Sequence, residues 1–309
     1  MNATILYVIC GIIGVLLVAS AIGAGLRYLR KDGATSPTVA NLNQRIKAWW
    51  VMVAVLALCV LAGKLFTTIF FAMVSFFALR EFWSIAPSGR GDHRSLFVSF
   101  FILLPAQYYL VATDWYGFFS ILIPVYAFLG LAALSTLAGD TRDFLGRNAR
   151  VQWGLMICVF AISHAPALLM LETGVAPVLL LVYLVIVVQL SDVLQYVFGK
   201  LFGRTKLSPS ISPSKTVEGL VGGGLAAVAI GAALYGMTPF SPLAAAVMSF
   251  AIVVSGFFGG FVLSAVKRDL AAKDWGTMIA GHGGVLDRVD SIVFAAPIFF
   301  HLVRYFYTV

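Results

Sequence analysis

Ten stretches of this chain are apolar enough to lie in hydrocarbon, and they dictate what it can fold into. They run at about 4–26, 48–63, 65–80, 95–113, 116–138, 151–171, 176–198, 219–237, 242–266 and 290–308. A spanning helix needs roughly 20 apolar residues. The second and third stretches are short, and the tight connection at Lys64 leaves open a bent hairpin that does not fully cross. With 61% hydrophobic residues against 11% charged, the composition lies outside soluble usage. The reading is an all-α polytopic membrane protein with about ten transmembrane helices. It forms one membrane domain over 1–309, with N-terminal helices to about 175 and chemistry-bearing helices and loops from about 176 onward. The first run is too long for the apolar core of a signal peptide and has no basic residue before it, so it reads as a spanning helix. Cys10, Cys59 and Cys158 all sit in apolar runs, which indicates neither a disulfide framework nor a zinc site.

Charge orients the helices. Arg27, Arg30, Lys31, Arg45 and Lys47 follow the first run; Arg80, Arg90 and Arg94 the third; Arg142, Arg147 and Arg150 the fifth. Lys200, Arg204, Lys206 and Lys215 follow the seventh, and Lys267, Arg268, Lys273 and Arg288 the ninth. If ten spans alternate, only Lys64 and Arg304 of the 21 basic residues miss the shared face. Positive charge marks the cytoplasmic side, so both termini are expected outside and any polar site cytoplasmic. The net charge of +8 is then topology and attraction to anionic lipid head groups, not a nucleic-acid signal.

Two inner loops carry more than topology needs. From Ser191 to Gly224, Asp192 lies at the inner end of an apolar helix, where a carboxylate is costly and needs a partner or a function. Further on, Ser212, Lys215 and Thr216 precede a glycine-rich helix start, where hydroxyls, a lysine and free amides suit an anion. A plain capping turn explains the same residues. The small residues of Gly219–Gly224 suit a close helix contact. From Ser264 to Ser291, cations and carboxylates alternate around a His-Gly-Gly turn. Asp287 and Asp290, spaced i, i+3, can face one way and suit Mg²⁺, which takes one or two carboxylates plus phosphate oxygens. Lys267, Arg268, Lys273 and Arg288 would neutralise phosphates, and Gly281, Gly283 and Gly284 would let amides approach them. His282 serves either as acid or base or as a turn donor.

At this point a family likeness enters. The run S-A-V-K-R-D…K-D-W-G…G-H-G-G-V-L-D-R-V-D, from Ser264 to Asp290, resembles the signature of the phosphatidate cytidylyltransferases. Phe202 to Gly219 is similar to that family's second block, and Leu79-Arg80-Glu81-Phe82-Trp83 to a weaker feature. The resemblance implies transfer of CMP from CTP to phosphatidic acid in phospholipid biosynthesis, with Mg²⁺ and K⁺, by a multi-pass homodimer of the bacterial inner membrane. It implies catalytic roles for Ser264, Lys267, Asp287 and Asp290, the last two holding metal. It implies substrate binding by Asp192, Ser212, Lys215 and Thr216, which Arg268, Lys273, His282, Gly283 and Arg288 join on the charge and turn reasoning above.

The chain departs from the pattern at three places. Val193, Leu194 and Gln195 follow Asp192 where the family has small residues, Ala280 stands for a usual proline, and Gly260 stands for a usual aspartate. The last departure keeps open a paralogue with lost or altered activity. A transporter or lipid-handling protein with an anion site is the alternative from another class, and no inverted repeat accompanies it.

Overall fold

The computed structural model describes residues 37–278 and 283–308, with single positions between 11 and 28. The first predicted span is therefore described only in part, and Arg27, Arg30 and Lys31 lie outside the described residues. Among the described residues the regular structure is helical apart from one hairpin. Helix α1 is Pro37–Ala62, α2 Lys64–Ile85, α3 Arg90–Ala112, α4 Tyr116–Thr136, α5 Phe144–Met170 and α6 Pro177–Leu201. An antiparallel hairpin follows, β1 Lys206–Ser208 with β2 Ser212–Thr216. Then come α7 Gly219–Ala233, α8 Pro242–Asp269 and α9 Leu286–Tyr307.

Seven of these helices, α2 to α6 with α8 and α9, are long and apolar enough to cross a membrane. At 1.5 Å per residue even the 21 residues of α4 exceed a hydrocarbon core of about 30 Å. The second and third predicted spans are separate helices broken at Gly63, whose φ of +92° favours glycine. Helix α1 starts well before the predicted boundary and takes in Arg45 and Lys47. Wide π-helical turns interrupt α3 at Ser99–Leu103, α4 at Leu122–Ala127, α5 at Met156–Ala161 and the start of α7 at Gly219–Gly223.

Cross-contacts sort the connections into two ends. At one end Arg147 is buried and bonds Asp92 at 3.0 Å and Asp140 at 2.9 Å, tying the first turn of α5 to that of α3 and to the segment between α4 and α5. There too Arg268 donates from Nε to Ile211 O at 3.3 Å, fastening the hairpin to the end of α8. At the other end Lys64 pairs with Asp114, Arg304 lies 3.5 Å above the Tyr116 ring, and Phe240 meets Tyr307 at 4.7 Å between ring centres. Alternate crossing from α2 onward gives this separation.

Helices α6, α7 and α8 form the scaffold of the site. The buried Tyr183 hydroxyl reaches Ser249 Oγ at 2.6 Å, Ala245 O at 3.1 Å and Gly231 O at 3.2 Å, linking all three. Where α7 crosses α6 the backbones touch. A Cβ on Gly223 would lie 2.4 Å from Gln195 N, and one on Gly219 would lie 2.6 Å from Gln195 O. The close contact expected of the glycine-rich tract is thus present, and it sets the inner end of α6 where Asp192 sits.

The base of the hairpin is closed by Glu218, which accepts from the amides of Arg204 at 3.1 Å and Thr205 at 3.0 Å. Its own backbone amide and then these amides hold its carboxyl down to about 2 from an ordinary 4.5. A depressed carboxyl stabilises the fold above its unfolded pKa and stops doing so as pH falls through the folded one. Protection of the Arg204 and Thr205 amides, corrected for intrinsic exchange, is therefore expected to decline from pH 4.5 toward about 2. Glu218→Gln should flatten that dependence; an unchanged slope would remove Glu218 as its source.

Candidate functional site

The polar site forms at the loop end of the bundle, where α6, β2, α8 and α9 converge. Asp192 on α6 accepts from Ser291 Oγ on α9 at 3.1 Å. Asp290, one residue earlier on α9, accepts from the Ser291 amide at 2.8 Å. Two carboxylates from helices about a hundred residues apart in sequence thus share one serine. Lys215 enters from β2. Its Nζ lies 4.3 Å above the Phe257 ring and donates to Phe257 O at 3.3 Å. Burial pulls the Lys215 ammonium below the ordinary lysine range, while Asp192 and Asp290 oppose that pull. A Cβ built on Gly260 of α8 would lie 3.4 Å from Lys215 Nζ and 3.5 Å from both Asp290 Oδ2 and Ser291 Oγ, so these groups surround one point.

Asp287 does something else. Its Oδ1 accepts from Lys267 Nζ at 2.6 Å, and its Oδ2 accepts from the amides of Trp275 at 2.8 Å and Gly284 at 2.9 Å. The residue is buried and its oxygens are committed. Asp287 and Asp290, expected to face one way, have different hydrogen-bond partners, although the Lys267 charge acts on both. Three residues turn a helix by 300°, so the two side chains diverge by about 60°. Asp287 turns to the 271–285 loop and Asp290 turns to Gly260 and Lys215.

Glu81 holds this loop from the far side. It stands on α2 and accepts from the amides of Val285 at 2.8 Å and Leu286 at 2.9 Å, the first free donors of α9. Phe82 stacks on the fully buried Trp275 at 5.7 Å. Gly283 has φ +79° and Gly284 a would-be Cβ only 2.3 Å from Glu81 Oε2, so both glycines serve the turn itself. Sequence reasoning assigned no role to Glu81, Trp275 or Ser291. The rule that flagged Asp192, an acid inside an apolar helix, applies equally to Glu81.

The other sequence-predicted residues divide. Ser264 donates to Gly260 O at 2.6 Å, within its own helix. Buried Thr216 caps the start of α7, accepting from the Gly219 amide at 3.1 Å. Arg288 is half-buried, and its Nε is buried without a hydrogen-bond partner among the described residues. Ser212 is half-buried in β2, whereas Arg268 and Lys273 are exposed and stand away from the carboxylates. His282 lies outside the described residues.

Among the described residues no three of His, Cys, Asp and Glu converge as a ready metal cluster. Asp192 and Asp290 nevertheless fit a Mg²⁺ ion, which uses one or two protein carboxylates and completes its shell with water and substrate phosphate. The unpartnered Arg288 Nε and the Lys215 ammonium supply positive charge beside them.

Fold and site define the class: a multi-pass helical membrane protein with an acidic and cationic site where loops meet helix ends. The chain belongs to the cytidylyltransferase family, whose model matches residues 43–306. It is 38% identical over 269 residues to the uncharacterized protein YnbB of Escherichia coli, covering 86% of this chain and 88% of that one. It is 30% identical over 275 residues to the phosphatidate cytidylyltransferase of Bacillus subtilis, covering 87% and 100%. With the phosphatidate cytidylyltransferase of Synechocystis it shares 43% over 116 residues, 37% and 39% of the two chains.

Proposed function

We propose that this protein transfers CMP from CTP to phosphatidic acid, releasing pyrophosphate and forming CDP-diacylglycerol. The observation that carries the reading is the meeting of Asp192, Asp290 and Lys215 around Ser291. It is supported by family membership and by the full-length likeness to the Bacillus subtilis enzyme. A phosphatidate oxygen attacks the α-phosphorus of CTP, the bond to the bridging oxygen breaks, and pyrophosphate leaves with its electron pair. No covalent intermediate on the protein is needed, since positioning and charge neutralisation supply most of such catalysis. Mg²⁺ held by Asp192 and Asp290 would act as a Lewis acid on phosphate oxygens. Lys215 and Arg288 bind and orient the phosphates, with Lys273 and Arg268 drawing anions to the mouth. Lys267 and Asp287 position the loop that closes over them.

The same reading puts this end of the bundle on the cytoplasmic face of a bacterial inner membrane, where CTP is available. It keeps about ten spans with both termini outside, and it adds a homodimer and a K⁺ requirement. The charge distribution supports the orientation.

The test is turnover of CTP with phosphatidic acid by the purified protein in mixed micelles with Mg²⁺, read as CDP-diacylglycerol. Asp290→Asn is expected to lower kcat/KM by about 10²-fold or more with little change in unfolding temperature. Absence of product from the parent, or an undiminished Asp290→Asn enzyme, would overturn the reading.

A further inference from the structure

Arg304 is an unexpected cation. With Lys64 it is one of two among the 21 basic residues that miss the shared face. A cation there works against the charge bias that orients a membrane chain. The two differ in company. Lys64 pairs with Asp114. Arg304 meets no carboxylate and donates no side-chain hydrogen bond among the described residues. Its guanidinium carbon lies 3.5 Å above the Tyr116 ring, a contact that uses the face of the group and not its N–H donors.

The surroundings give depth and shape. Trp115 precedes Tyr116 and Tyr305 follows Arg304, both exposed, and such aromatics collect at head-group level. Beside them α9 presents an open groove of about 390 Å³, lined by Pro297, Ile298, His301, Leu302, Tyr305 and Phe306. Ligand sites commonly hold about 300–1,000 Å³. His301 lines the groove one turn before Arg304, and its ring stands 6.4 Å from that of Tyr116. The unpaired cation therefore marks the polar rim of an apolar groove.

We infer that this groove holds an acyl chain of a phospholipid with a net negative head group, whose phosphate is bound by Arg304. The lipid belongs to the leaflet at the end of the bundle opposite the carboxylate site. The guanidinium fork matches two phosphate oxygens, and a neutral His301 still has one N–H to offer beside it. Charge selects the head group. A zwitterionic lipid brings its own cation to a place where Arg304 already lacks an acid. The site is independent of the reaction proposed above.

The experiment places the full-length protein in phosphatidylcholine vesicles containing a little phosphatidylglycerol with a photoactivatable diazirine on one acyl chain. Labelled peptides are then mapped. Label is expected on 297–306, and Arg304→Gln should lower it about tenfold, the order of one charge-assisted hydrogen bond. Lys64→Gln removes the same charge at the same end and should leave the label unchanged. Arg304→Lys should retain part of it, and the unfolding temperatures of all three variants show that the helices stay packed. Equal labelling by a diazirine phosphatidylcholine would overturn the inference, as would full labelling of Arg304→Gln. So would loss of label with millimolar inorganic phosphate, which would make the site one for a free anion. Disulfide-linked dimers formed by Ile298→Cys and not by the parent would put a second copy on the groove and overturn it too.

Discussion

Alanine at Asp287 is expected to cost the fold about 3–5 kcal/mol, the range for removing one partner of a buried ion pair. Lys267 would keep its charge with a side chain only 10% exposed, and the amides of Trp275 and Gly284 would lose their acceptor. That is a large share of the about 5–15 kcal/mol that holds a typical domain. The measurement is thermal unfolding in detergent, with Lys267→Met placed on the alanine variant as a second arm. Removing the stranded ammonium should recover part of the loss but not all, because the two amides stay unpaired. An Asp287→Ala protein that unfolds at the parent temperature yet no longer binds Mg²⁺ would refute this assignment and return Asp287 to the metal.

Glu81→Ala is expected to act on both stability and turnover. Two hydrogen bonds to a charged acceptor are lost, each worth about 1.5–3 kcal/mol. The freed end of α9 carries Asp290, and a misplacement of about 1 Å at reacting groups costs about 10²-fold in rate. The expected result is a fall of that order in kcat with a smaller change in KM. Exchange of the Val285 and Leu286 amides should quicken at the same time. Glu81→Gln, which keeps one carbonyl acceptor, should fall between parent and alanine. Normal turnover with unprotected amides would show that the clamp does not position the site.

What the sequence made legible followed from chain-local physics. Apolar runs located α2 to α9 with ends displaced by up to seven residues, because each helix must be apolar along most of its length while its polar ends escape the count. The tract around Gly223 announced a close helix contact for the same local reason. Asp192 was legible as an intramembrane acid, and the convergence of its loop with the Asp290 segment is present in the fold. Side-chain direction was less accessible. Spacing alone allowed Asp287 and Asp290 to act together, and could not show that Asp287 bonds Lys267 and the amides of the 271–285 loop. Glu81 escaped because the amides that donate to it lie 204 and 205 residues away, beyond any spacing rule. The Asp92–Arg147 pair, 55 residues apart, is of the same kind.

The clamp from Glu81 to α9 also sets an order of events in biogenesis. Glu81 is made when 204 residues still separate it from its first donor, the Val285 amide. At about 5–20 residues per second, some 10–40 s of translation pass before that donor exists. During that time α2 has an acid at its end with nothing to cap, and Asp192 has no serine to receive from. The carboxylate pair is therefore complete only once α9, the last helix, packs against α6 and α8, and a nascent chain halted before α9 would lack Asp290 and Ser291 however well its earlier helices had inserted.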